Sequence, residues 1–312
     1  MRVAVIDIGT NSTRLFIAEV APGRTLTQLE RQSRVTRLGD RVEATGQLAE
    51  ASMQRVFDTL DGYRAEIDRL GVTATTAVLT SAVRDAANGA EFTRQVRERY
   101  GLDARTIDGE EEAALTFAGA TSERESDGEE IAVVDIGGGS TEFVVGRDAS
   151  DIAFHVSTQV GVVRQTERHL HDDPPPPEGL QDLAADVAMI FENAVPAQLR
   201  ERVQTVIAVA GTATSCAAME LELELYDPER VHGHILELGT CELLLARLAL
   251  MTDAQRRDVA GLPPDRSPTI VAGVTMLIEV MRAFGLEQVE VSEHDLLRGA
   301  ALRIALSPGA AF

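Results

Sequence analysis

Ile131-Ala-Val-Val-Asp-Ile-Gly-Gly-Gly-Ser-Thr-Glu-Phe-Val-Val-Gly146 is the stretch on which the reading of this chain turns. An apolar run ends in a carboxylate, glycines and hydroxyls follow, and a second apolar run closes the pattern. A turn of this composition lets backbone N–H groups surround a phosphate, because no Cβ blocks the approach. The design occurs once more, in Val3-Ala-Val-Ile-Asp-Ile-Gly-Thr-Asn-Ser-Thr-Arg-Leu-Phe-Ile17. Sliding one copy by 128 positions superposes Asp7 on Asp135, Gly9 on Gly137, Ser12 on Ser140 and Thr13 on Thr141 without a gap. Two phosphate-gripping hairpins in one chain imply two similar lobes facing each other across a cleft.

Outward from the first hairpin, strands are expected at 3–8, 14–20 and 27–37. Leu48, Val56, Phe57, Leu60, Tyr63, Ile67 and Leu70 recur at helical spacing and predict a helix over 47–70. A β-branched strand over 72–79 and a helix over 91–100, closed by Gly101, come next. Residues 104–107 read as extended, and Asp108 as the N-cap of a helix starting near Glu110. The polar, acidic run 121–130 is the expected boundary, giving domains 1–124 and 125–312, with the terminal helix a candidate to pack back on the first.

The second lobe repeats the order. After the hairpin come a strand at 154–159, a helix from Val162, a stiff proline loop at 172–178 and a helix over 180–194. A strand over 205–210 runs through Gly211-Thr-Ala-Thr into another helix. Helices at 239–251 and 267–284, a strand at 288–291 and a helix from Glu293 complete it. The fold class expected is α/β: two domains, each a mixed, mainly parallel sheet covered by helices.

At 312 residues the chain can bury two cores. No apolar run reaches the roughly 20 residues of a bilayer span, and no signal peptide opens it. Cys216 and Cys241 give neither a disulfide framework nor a metal-ligand spacing, so a reduced, cytoplasmic setting is expected. The net charge of −21 argues against nonspecific binding to nucleic acid or anionic membrane. Residues 1–100 hold 14 arginines against 13 acids, the remainder 15 against 37, so the first lobe is the better host for a polyanion. There is no lysine, which excludes a P-loop.

The paired hairpins resemble those of the actin/hexokinase/Hsp70 phosphotransferase superfamily, whose domains are actin-like, of the ribonuclease H type. The wording Asp135-Ile-Gly-Gly-Gly-Ser-Thr-Glu142 is similar to that of the exopolyphosphatase/guanosine pentaphosphatase (Ppx/GppA) family. Thr80-Ser-Ala-Val-Arg-Asp-Ala86, Ile107-Asp-Gly-Glu-Glu-Glu-Ala113 and Ala210-Gly-Thr-Ala-Thr214 fit it too. The resemblance spans essentially the whole chain, in the short, two-domain form. It implies a phosphoanhydride hydrolase dependent on Mg²⁺ or another divalent cation. The substrate would be inorganic polyphosphate or guanosine pentaphosphate, with neither preferred by the sequence. The oligomeric state stays open, a homodimer among the candidates.

On this resemblance Glu112 is the glutamate that orients and deprotonates water, with Glu142 also in the active site. Glu110 and Glu111 read as helix-dipole compensation. The phosphate is expected on Gly9, Thr10, Asn11 and Ser12, on Gly137, Gly138, Gly139, Ser140 and Thr141, and on Gly211 and Thr212. Arg84 is the expected clamp, since guanidinium donors match phosphate oxygens in pairs. Asp135, Glu142 and Asp7 are the expected metal ligands, Mg²⁺ taking few carboxylates and keeping waters. Arg31, Arg34, Arg37 and Arg41 offer a basic track, with Arg31 and Arg37 on one face if 27–37 is a strand. His232-Gly-His234, two histidines without a carboxylate partner in a metal-ligand motif, reads as loop. Leu297 stands where the family's terminal motif has arginine, with Arg298 one step later. A nucleotide-dependent kinase or ATPase and a polyphosphate or alarmone binder without turnover are the alternative readings. The three glutamates speak against the last.

Overall fold

The computed structural model describes residues 1–21, 25–125 and 128–306, so two residues of the acidic connector, 126 and 127, lie outside the described part. The chain forms two compact units. Unit one is Met1–Gly119 with the helix that begins at Leu296, and unit two is Ala120–Asp295.

Unit one is built on β1 (Arg2–Ile8), β2 (Ser12–Val20), β3 (Leu26–Val35), β4 (Ala74–Leu79) and β5 (Asp103–Thr106), in the order β3-β2-β1-β4-β5. β1 is antiparallel to β2 and parallel to β4, so the sheet is mixed. Side chains alternate across a strand, and both faces of β1 are covered. Ile6 and Ile8 join Leu15 and Ile17 against Val56, Phe57, Leu60, Phe92 and Val96 of the helices Glu50–Arg69 and Gly89–Tyr100. Val3 and Val5 join Phe16 and Ala18 against Leu297, Ala300, Ala301 and Ile304 of the helix Leu296–Leu306. Double burial explains why β1 reads as a continuous apolar run. A Cβ on Gly299 would stand 1.9 Å from the carbonyl oxygen of Leu115, so this helix meets Gly109–Ala120 backbone to backbone.

Unit two is built on β6 (Ile131–Ile136), β7 (Thr141–Asp148), β8 (Asp151–Thr158), β9 (Thr205–Val209), β10 (Ile235–Glu237) and β11 (Gln288–Val291), in the order β10-β11-β9-β6-β7-β8. Its central helix, Ile270–Phe284, is buried at every residue except Arg282, and Phe143 packs edge-on against Phe191 at 5.0 Å. Cys216 and Cys241 are free and buried in this core.

Several expectations need correction. The sheets are not mainly parallel: besides the expected hairpin β6–β7, the pairs β7–β8 and β10–β11 are antiparallel. β9 stops at Val209, because Ala210 takes a left-handed φ of 66° and opens the helix Ala210–Glu220. β3 ends at Val35, and Arg37 has φ 49°, so strand alternation cannot pair it with Arg31. Leu297 packs inside unit one, and Arg298 is buried beside it in sequence. Among the described residues, no helix is long and apolar enough to cross a membrane.

Candidate active site

Within each unit the candidate residues gather at the carboxyl ends of parallel strands, the end at which open α/β sheets hold ligands. In unit one, β1 leads to Gly9–Ser12, β4 to Thr80–Arg84 and β5 to Ile107–Glu112. In unit two, β6 leads to Gly137–Ser140, β9 to Ala210–Thr212 and β11 to Ser292–Asp295.

The two hairpin loops share their bonding. Gly9 N–H donates to the Ser12 carbonyl at 3.0 Å and Gly137 N–H to the Ser140 carbonyl at 3.0 Å. A Cβ at either glycine would press on that same carbonyl, at 3.1 and 3.0 Å, which is why both copies keep glycine there. The loop carbonyls are drawn onto the segment that follows the third strand. The Asn11 carbonyl accepts from Thr36 and Arg37 N–H, and that of Thr10 from Gly39 N–H at 2.8 Å. In the second copy the Gly137 and Gly138 carbonyls accept from Val162 and Val163 N–H, both at 2.9 Å. The Gly139 carbonyl accepts from Arg164 Nε at 2.7 Å. A trans peptide points its N–H opposite to its C=O. The N–H groups of Asn11 and Ser12, and of Gly138, Gly139 and Ser140, are therefore turned away from these bonds, as an anion cradle requires. Thr10 Oγ1 also accepts from Ala82 N–H at 3.2 Å, tying the first loop to the Arg84 segment.

Thr141 is fully buried, and its hydroxyl donates to the Val160 carbonyl at 2.6 Å. Its counterpart Thr13 instead shares a hydroxyl–hydroxyl hydrogen bond with Thr36 at 3.0 Å. The hydroxyls of both threonines fasten the hairpin to the segment that follows the third strand of its sheet.

The hairpins differ in charge. Asp7 lies opposite Arg14, which grips it through Nε at 2.8 Å and Nη2 at 2.7 Å. Asp135 lies opposite Glu142 in the same register, and both are buried, at 7% and 1% exposure. Ser157 Oγ donates to Glu142 Oε1 at 2.8 Å. Directly opposed carboxylates with Cβ atoms about 5 Å apart repel. A hard divalent cation between them reverses that repulsion, and an all-oxygen donor set suits Mg²⁺ or Mn²⁺. The pair therefore fits a metal. Asp7, neutralised by Arg14, lacks that reason for one.

The three glutamates separate cleanly. Asp108 Oδ1 accepts from Glu111 N–H at 2.8 Å and caps the helix Gly109–Ala120. Glu110 is exposed. Glu111 is taken by Arg105 through two bonds of 2.5 Å and by Arg303 at 2.7 Å. The bonds from Arg105, and then the charges of Arg105 and Arg303, hold the Glu111 carboxyl below its ordinary pKa against the opposing effect of burial. Glu112 is buried, and its Oε2 lies 3.1 Å from Arg84 Nη1, which also donates to the Ile107 carbonyl at 3.0 Å.

Gly211 and Thr212 lie at the start of the helix Ala210–Glu220. Arg266 Nη1 donates to the Gly211 carbonyl at 2.6 Å and to Ser215 Oγ at 3.2 Å. A Cβ on Gly211 would lie 2.2 Å from that guanidinium, so the glycine makes room for an arginine. Thr212 is buried against Gly273. Sequence reasoning missed Arg266, Arg164 and Ser157, since each reaches its loop from a segment with no motif of its own.

A family model described as the Ppx/GppA phosphatase family matches residues 16–307. The chain is 37% identical over 320 residues to a protein of Mycobacterium tuberculosis named exopolyphosphatase 2, covering 97% of this chain and 98% of that one. A crystal structure of the Aquifex aeolicus Ppx/GppA family member superposes with a TM-score of 0.81 at 30% identity, covering 99% of each chain. That of an exopolyphosphatase from Cytophaga hutchinsonii superposes at 0.88 and 26% identity, over 100% of this chain and 99% of that one.

Proposed function

The chain belongs to the Ppx/GppA phosphatase family, and from that premise we propose that it is an exopolyphosphatase. It removes the terminal phosphate of inorganic polyphosphate by in-line attack of water on the end phosphorus. The new bond joins the water oxygen to phosphorus, the bridging P–O bond breaks, and the shortened chain leaves with that oxygen. Glu112 accepts the water proton. Phosphoryl transfer is catalysed chiefly by positioning and charge stabilisation.

The observation that carries this reading is the buried Glu112 held by Arg84. Arg84 fixes the carboxylate through Nη1 alone, so Nε and Nη2 remain as the donors for phosphate oxygens. The cradles of Gly9–Ser12 and Gly137–Ser140 supply backbone N–H donors for the phosphate groups. Asp135 and Glu142 would hold the divalent cation. When bound, that ion neutralises charge developing on the transferred group. Arg266, held on the Gly211 carbonyl, is a further cation for the anion.

Phosphate release measured side by side from polyphosphate and guanosine pentaphosphate tests the substrate. Faster release from polyphosphate is expected, and release from guanosine pentaphosphate alone would move the chain to the other branch of the family. Glu112→Gln keeps the shape and removes the base. Turnover is expected to fall about 10²–10⁴-fold while polyphosphate binding persists. Unchanged turnover in this variant would remove Glu112 from the mechanism.

A further inference from the structure

His232, His294 and Glu123 come from three separate parts of the chain, yet their ligand atoms all lie within 4.8 Å of one another. We propose that they form a binding site for a transition-metal dication of the Zn²⁺ class, distinct from the carboxylate pair Asp135 and Glu142. Two imidazoles and one carboxylate are the donor set of a d-block ion, whereas opposed carboxylates suit Mg²⁺. His294 follows β11, and in the sheet β9 separates β11 from β6, which carries Asp135. Two strand spacings, roughly 10 Å, thus separate the lines on which the sites are built.

The geometry is close to what an ion needs. The imidazole centroids are 4.1 Å apart with planes tilted by 38°, and His294 Nδ1 lies 4.0 Å from Glu123 Oε2. A metal about 2.1 Å from one nitrogen of each ring, at a tetrahedral angle, puts the centroids about 5.3 Å apart, so the rings open by roughly 1 Å to take it. His232 is anchored at Nδ1, which lies 3.3 Å from Glu293 N–H and 3.5 Å from Ser292 Oγ. Ser292 Oγ in turn accepts from His294 N–H at 3.0 Å, which fixes the second histidine's backbone. Both histidines are half-buried and Glu123 is exposed, so solvent reaches the site and water completes the coordination. His234, the other half of the sequence pair, is not a member; its Nε2 lies 2.6 Å from Glu220.

The placement gives the site a structural consequence. Glu123 is the fourth residue of unit two, and His294 the last but one before the chain returns to unit one. A bound ion ties together the segments by which the chain enters and leaves unit two.

The test uses tag-free, full-length protein stripped with chelator and then equilibrated with excess Mg²⁺ to occupy carboxylate sites. Zn²⁺ is titrated in competition with a chromophoric chelator. One equivalent is expected to bind, with affinity at least 10-fold weaker in His232→Ala and His294→Ala and unchanged in His234→Ala. Glu123→Gln is expected to weaken it about 10-fold. Zn²⁺ is also expected to raise the thermal midpoint of the wild type but not of His294→Gln, a readout available if an alanine variant folds poorly. No bound Zn²⁺ in the presence of Mg²⁺, or equal affinity in the wild type and the His232→Ala/His294→Ala double variant, overturns the proposal.

Discussion

Glu111 and Glu112 are neighbours on one helix with opposite surroundings, and variants of the two should fail in different ways. Glu111 is clamped by Arg105 and Arg303 and is held ionised below its ordinary pKa of 4.5. A depressed folded-state pKa contributes stability above the unfolded value, and that contribution is lost as pH falls through the folded one. In this window the unfolded chain binds more protons, so stability rises with pH. Glu111→Gln is therefore expected to leave turnover within a few-fold of wild type and to flatten the loss of stability below about pH 4.5, followed by urea unfolding at several pH values. A large loss of turnover with an unchanged acid profile would exchange the roles of the two glutamates. Arg84→Ala should remove both the grip on Glu112 and a phosphate donor, lowering kcat by about 10²-fold or more in phosphate-release assays. The sequence singled out Glu112 through its motif, but it could not show that Glu111 was engaged, because Arg303 lies 192 residues away.

At the scale of elements, the second phosphate loop depends on how closely the helix Val162–His169 approaches it. A Cβ on Gly161 would stand 2.4 Å from the Gly139 carbonyl carbon and 2.5 Å from that of Gly138. Gly161→Ala must push the helix start off the loop, undoing the bonds that Val162 and Val163 make to Gly137 and Gly138. Higher KM for polyphosphate and a cost of about 1–3 kcal/mol in stability are expected, read from initial rates and denaturant unfolding. Gly62, exposed within the helix Glu50–Arg69 with open space around it, is the control: Gly62→Ala should stabilise by about 0.5–1 kcal/mol and leave KM alone. The hairpins were legible in the sequence because their geometry is local, glycine against a carbonyl three residues on. Strand direction beyond the hairpins was not, since nothing in β8, β10 or β11 itself says whether its partner runs parallel or antiparallel. Arg37 escaped for a different reason: alternation along 27–37 assumed a strand, and the chain leaves it at Val35. Arg266 on Gly211 and the His232–His294–Glu123 cluster were invisible because folding alone brings such distant residues together.

Over the whole molecule, charge is divided unevenly between the units. Unit one carries 17 arginines against 18 acids and unit two 12 against 32, so nearly all of the net −21 belongs to unit two. A polyanion is repelled by such a unit unless cations intervene, which makes the ion expected at Asp135 and Glu142 necessary for binding as well as turnover. Excess EDTA should abolish phosphate release and Mg²⁺ should restore it; full activity in EDTA would leave the arginines alone to carry the charge. Unit one, nearly neutral, is the expected host for a polyanion. Arg37 is the residue best placed for this, because its N–H bonds to the Asn11 carbonyl of the first phosphate loop at 2.8 Å and its side chain is exposed. Among the described residues its guanidinium has no ion-pair partner, so a phosphate does not have to displace an internal carboxylate. Exposed ion contacts are screened by salt over a Debye length of about 8 Å at physiological ionic strength. Arg37→Ala should therefore weaken long chains more than short ones and flatten the salt dependence of binding, while kcat on the shortest substrates stays near wild type. Binding measured across chain lengths at two salt concentrations checks this, and equal weakening of short and long chains would place the track on other arginines of unit one.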